Sequence, residues 1–219
     1  VELVNLSRSP TARRTAQRSW FWVLSTLWFS VFIMRLARIA AAVVDATRIR
    51  RRARGAVDSW WRQAVEETRA RLQLRANIPV RISAEAAVPF IVGVRYPVLV
   101  LPINANAWPP ERRRTVLLHE LAHVKRHDCF LRCCAQAVAA VYWFHPLVHI
   151  ALRRLMTEQE HACDDVAISA GVPAAEYARH LLYIAQGSLY TPPQATTVAM
   201  AAQSHLEERM QSILEPTRR

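Results

Sequence analysis

The chain has 219 residues, a formal net charge of +12, four cysteines, four glycines and twelve prolines. That length buries one sizeable core with room for a membrane segment, so one domain plus a membrane segment is expected. The cysteines, Cys129, Cys133, Cys134 and Cys163, form no paired extracellular framework, and a reduced cytoplasmic or membrane location is expected.

Charge is carried almost wholly by arginine, since Lys125 is the only lysine. Eleven arginines fall in the first 54 residues, six of them between Arg38 and Arg54, hard against an apolar run. That placement favours phospholipid headgroups over a DNA groove, so no direct nucleic-acid partner is expected. Residues 1–18 read as a basic tail, 19–44 as a transmembrane helix and 45–77 as an arginine-rich linker. The uncharged stretch Ser19 to Met34 falls a little short of the ~20 residues a span requires, and Arg35 and Arg38 extend it by reaching back to the headgroups. Four arginines precede the run and seven lie between Arg35 and Arg54, which places the C-terminal side in the cytoplasm at the plasma membrane.

Apolar residues recur at helical spacing from Ala56 to Leu74, through Trp60, Trp61, Ala64, Val65 and Leu72. Such a helix either lies on the membrane or packs into a core. Val80–Ser83, Phe90–Val92 and Val98–Leu101 then read as short strands separated by Pro89, Gly93 and Pro97.

Pro109-Pro110-Glu111 opens a helix that carries His119-Glu120-Leu121-Ala122-His123. Residues four apart share a helical face, so His119 and His123 can bind one zinc ion, with Glu120 placed to take a proton from water beside it. A third ligand is expected from Glu160-His161-Ala162-Cys163-Asp164. Glu160 and Asp164 again share a face, so one can bind the ion and the other orient an imidazole. His127 and Cys163 are further candidates. Between the two segments runs Cys133 to Leu152, uncharged and broken at His145-Pro146. If both segments serve one ion, the run must return to its starting side, so it reads as a helical hairpin, buried or dipping into the bilayer. His145 and His149 then serve the turn and its packing. Gly171-Val172-Pro173 ends the second helix, another helix covers Ala174 to Gln186, and a capping box at Ser204 to Glu207 opens a last helix through Leu214. No glycine-rich phosphate loop and no serine nucleophile motif is present.

The runs Leu117 to Asp128, Tyr142 to Val148 and Glu158 to Asp164, with Gly93 to Pro102 upstream, resemble the BlaR/MecR-type antirepressor family of membrane zinc peptidases. The resemblance covers roughly residues 78 to 215. It implies a gluzincin-like domain over 78–190, mainly α with a small β-sheet, followed by a loop and C-terminal helix over 191–219. It also implies Zn2+ on His119, His123 and Glu160, Glu120 as general base and Asp164 behind the ligands. The implied function is membrane-tethered endopeptidase action on a protein or peptide substrate, such as a cytoplasmic transcriptional repressor or the chain itself, under a sensor domain or sensor partner. The competing expectation is a non-catalytic signalling module, its metal saturated by His127, Cys163 or Asp164 as fourth ligand.

Overall fold

The computed structural model describes residues 10–53, 58–189 and 209–214. The capping box at Ser204, part of the basic tail and part of the linker lie outside the described residues. Helix α1 runs unbroken over Pro10–Arg52 and ends on Arg50, Arg51 and Arg52. The expected divisions at 18 and 44 therefore fall inside one helix. Its stretch from Trp20 is long and apolar enough to cross a membrane, with Trp20, Trp22 and Phe29 exposed.

Helix α2 spans Ser59–Arg71, its N-terminus capped by the Asp58 carboxylate, which accepts the Trp60 N–H. Trp61, Ala64 and Val65 are buried on one face. Of its two possible readings, the structure selects core packing. The Trp61 indole donates to Asn106 Oδ1 at 3.0 Å and meets Trp60 and Trp108 edge-on, so this large ring is both buried and satisfied.

Strands β1 (Val80–Ser83), β2 (Phe90–Val92) and β3 (Val98–Pro102) form one sheet in the order β1-β3-β2. The central strand β3 pairs parallel with β1 and antiparallel with β2, and every residue of it is buried. Burial on both faces explains its unbroken apolar sequence. The β2–β3 turn needs Gly93: its φ is +104°, and a Cβ there would lie 2.5 Å from the Tyr96 carbonyl oxygen.

Helix α3 (Pro110–Lys125) takes proline at its start and Glu111 in its first turn, as the helix dipole favours. Leu117 and Leu121 join Trp61, Leu99 and Leu101 in the main core, which fixes α3 against α2 and the sheet. The turn after α3 passes through His127 at φ +57° and leads directly into α4 (Asp128–Val141). A left-handed residue other than glycine costs about 1–2 kcal/mol, and this one turns Asp128 back toward α3.

Residues 142–145 separate α4 from α5 (Pro146–Ser169), so the helical hairpin expected from His145-Pro146 forms. Pro146 starts α5, where a missing N–H is harmless. Gly171, at φ +91°, closes it: its N–H reaches the Ile168 carbonyl and the Val172 N–H reaches that of Ala167, a Schellman termination. Helix α6 covers Ala174–Leu189. Residues 209–214 are helical, and Met210 and Ile213 pack with Leu118, Ala167 and Tyr177. The architecture is mostly helical with a three-stranded sheet and an apolar N-terminal helix, as the sequence suggested.

Candidate metal centre

Helix α3 presents His119 and His123 side by side, with ring centroids 4.9 Å apart. Helix α5 crosses in front of them and delivers Glu160. His119 Nε2 lies 3.5 Å from one oxygen of the Glu160 carboxylate and His123 Nε2 lies 3.7 Å from the other. One ligand atom from each of the three residues fits within a 4.8 Å span. This is the geometry of two imidazoles and a carboxylate facing one point.

Behind the rings each imidazole meets an aspartate. His119 Nδ1 lies 3.2 Å from Asp164 and 2.9 Å from the Tyr177 hydroxyl. That hydroxyl donates to Asp164 at 2.5 Å. His123 Nδ1 lies 2.8 Å from Asp128, which the left-handed turn at His127 has carried into place. With Nδ1 held by a carboxylate, the Nε2 lone pair is free to face the Glu160 side. The structure thus places Asp164 behind His119 and Asp128 behind His123; sequence reasoning assigned Asp128 no role.

Two arginines hold the carboxylates from outside. Arg132 of α4 donates to Glu160 at 2.7 Å and to Gln159 at 2.7 Å. Arg209 forms a forked pair with Asp164, at 2.6 and 2.9 Å, and reaches Glu160 at 3.2 Å. Neither arginine was singled out in the sequence, because both come from separate elements with no motif spacing to the histidines.

Electrostatics drive the two imidazoles in opposite directions: burial and the neighbouring His119 lower the pKa of His123. Burial opposes protonation of His119, yet hydrogen bonds to Asp164 and Glu160 outweigh it and raise its pKa to about 9. Burial also disfavours charge on Glu160, but His119, Arg209 and His123 hold its carboxyl well below the usual range. Asp164 goes the same way, to about 2: His119 and Arg209 overcome its burial. At Glu120 burial wins and raises the carboxyl to about 7. The donor set of two imidazoles and one carboxylate suits zinc with a coordination position left over.

The other sequence candidates are placed differently. His127 is exposed at the start of α4 and belongs to neither cluster of potential ligands among the described residues. Cys163 is buried, 3.2 Å from His123 Nδ1 and 3.7 Å from Asp128. With His123 and Asp128 it forms a second group of potential ligand atoms among the described residues, on the side of His123 away from the nitrogen that faces Glu160, and burial pushes its thiol up.

A cavity of about 520 Å³ opens on the centre. His119, Glu120, His123 and Glu160 line one wall, and Phe90 and Ile91 of β2 line another. Strand β2 lies at one edge of the sheet. Asp128→Asn is expected to weaken zinc binding roughly 10- to 100-fold, because the amide no longer fixes the proton on His123 Nδ1. Competition against a chromophoric chelator measures this, and unchanged affinity would remove Asp128 from the site.

The family model described as BlaR1 peptidase M56 matches residues 2–213. Regulatory protein BlaR1 of Bacillus licheniformis is 37% identical over 76 residues, covering 35% of this chain and 13% of the relative. The methicillin resistance mecR1 proteins of Staphylococcus aureus and Staphylococcus epidermidis are each 22% identical over 163 residues, 74% of this chain and 26% of the relative. The chain spans about a quarter or less of the length of these curated relatives. It belongs to the BlaR1 peptidase M56 family.

Proposed function

We propose that this member of the BlaR1 peptidase family is a membrane-tethered, zinc-dependent endopeptidase acting in regulation, with a cytoplasmic repressor or the chain itself as substrate. The observation that carries the reading is the convergence of His119, His123 and Glu160 in a cavity that Glu120 also lines. The resemblance to proteins named as regulatory and resistance proteins supports the regulatory role. The arginine distribution around α1 supports a cytoplasmic peptidase domain.

Zinc held by the three ligands would supply Lewis acidity to the scissile carbonyl and to the attacking water. The remaining work falls to the chain. Asp164 and Asp128 keep both imidazoles turned toward the ion. Arg132 and Arg209 orient the Glu160 carboxylate. Glu120 takes a proton from the attacking water and passes it to the leaving amine. Strand β2 is an edge strand with Phe90 and Ile91 lining the cavity, and an extended peptide that added a strand to such an edge would bind beside the centre.

The test is zinc removal. Dialysis of the purified chain against a chelator should end cleavage of a candidate repressor protein, and stoichiometric zinc should restore it. Cleavage that survives complete removal of metal, verified by elemental analysis, would sink the reading. A non-catalytic module with a fully ligated ion predicts no cleavage in either state.

A further inference from the structure

The α4–α5 hairpin presents an apolar surface that the peptidase reading does not use. Val138, Tyr142, Phe144, Leu147 and Ile150 are each half or more exposed. No charged residue occurs from Cys133 to Leu152. A contiguous patch of such side chains is unusual on a surface that faces water.

The hairpin does not stand alone. Helix α4 packs along α1, whose half-buried positions Trp28, Val31, Phe32, Arg35 and Ile39 recur at helical spacing. At its other end α1 is fixed to the sheet, where Ala46 and Ile49 pack with Phe90, Val92 and Val98. Helix α4 also begins at the sheet, with Cys129 Sγ 3.9 Å from the Ile91 carbonyl. Both helices therefore leave the sheet together, and the tip of the hairpin lies on the same side of the domain as the apolar half of α1.

The length fits one leaflet. The uncharged part of α4, Cys133 to Val141, is ~13 Å long, and Pro146 to Leu152 is ~10 Å. A leaflet offers ~15 Å of hydrocarbon, half the bilayer core. Exposed Arg153 and Arg154 follow at once on α5, at the level where anionic headgroups would meet them. Entry and exit on one face also let His123 and Glu160, at the two ends of the hairpin, share a site.

Several polar groups of the turn are satisfied from within, while the Trp143 indole Nε1 is buried without a partner among the described residues. Irregular backbone in hydrocarbon must satisfy its polar groups internally. Here Tyr142 N–H reaches the Val138 carbonyl at 2.9 Å and His145 N–H reaches that of Tyr142 at 2.9 Å. The His149 ring covers the Trp143 carbonyl, with Nε2 2.8 Å from its oxygen. Pro146 brings no N–H to be satisfied.

We infer that the α4–α5 hairpin inserts into one leaflet, on the side of the bilayer that holds the peptidase domain, and seats the metal centre against the membrane surface. The inference takes α1 as a membrane span, and one experiment reads both. The purified full chain is reconstituted into phosphatidylglycerol–phosphatidylethanolamine vesicles containing a lipid with a photoactivatable diazirine in its acyl chain. After irradiation, adducts are mapped by peptide mass spectrometry. Adducts are expected on 20–34 and on 138–150, and not on 58–125. Adducts on 20–34 alone would overturn the hairpin inference while leaving the span intact. Adducts on neither would overturn both, and cross-links between two copies at 138–150 in place of lipid adducts would make the occupant a second chain. The double substitution Phe144→Asp, Leu147→Asp should cut the yield on 138–150 at least about tenfold and spare 20–34. An undiminished yield on 138–150 would show non-specific labelling and overturn the insertion.

Discussion

Glu120→Gln is expected to abolish practical turnover while leaving the metal in place. Glutamine has the shape of glutamate and keeps its hydrogen-bonding capacity, but it cannot accept a proton from water. Loss of a positioned general base costs typically 10²- to 10⁴-fold in rate. Glu120 is outside the convergent trio of His119, His123 and Glu160, so zinc stoichiometry should match that of the unchanged chain. The relevant measurements are kcat on a cleavable protein substrate and metal content of the same preparation. The split between them decides the assignment. A variant that loses zinc along with activity would make Glu120 a structural element of the site, and one that cuts at the original rate would remove it from the chemistry. Burial raises the Glu120 carboxyl to about 7 in the metal-free chain, and a bound divalent cation beside it would lower it.

The parts of this arrangement that lie within one helix were legible in the sequence. The spacing of His119 and His123 is a property of α3 alone, and Pro110 marked its start. The break at His145-Pro146 followed from what proline does to the residue before it, and the strands followed from short β-prone runs between prolines and Gly93. The contacts between elements were not legible. Asp128 follows His123 by five residues, a spacing without meaning on one continuous helix. It becomes a partner because α3 ends and His127 turns the chain through a left-handed conformation. An acidic residue soon after the second histidine was the available signal, but the turn that gives it effect has no sequence mark as clear as glycine. Tyr177 and Arg209 lie 58 and 90 residues beyond His119, and nothing in the pattern of either segment points at the metal centre. Their placement depends on Met210 and Ile213 docking beside Leu118 and Tyr177.

Glu160 separates a working site from two histidines that merely share a helical face. Glu160→Ala is expected to remove most of the zinc affinity, by more than the loss of one ligand alone. Arg132 and Arg209 point at the Glu160 carboxylate, at 2.7 and 3.2 Å. With that carboxylate gone, the guanidinium groups remain beside the place where a divalent cation must sit, and their repulsion is poorly screened in a partly buried site. Asp164→Asn should act more weakly, about 10- to 100-fold, because it disturbs only the orientation and basicity of His119. Glu158→Ala should leave affinity unchanged: Glu158 is exposed and lies 3.6 Å from Arg154 on the outer side of α5. Titration of zinc into metal-free chains gives this order directly, with circular dichroism confirming that each variant keeps its helices. Wild-type affinity in Glu160→Ala would place the third ligand elsewhere. An Asp164→Asn loss as large as that of Glu160→Ala would put the Asp164 carboxylate on the ion itself, which would require it to leave both Arg209 and the Tyr177 hydroxyl.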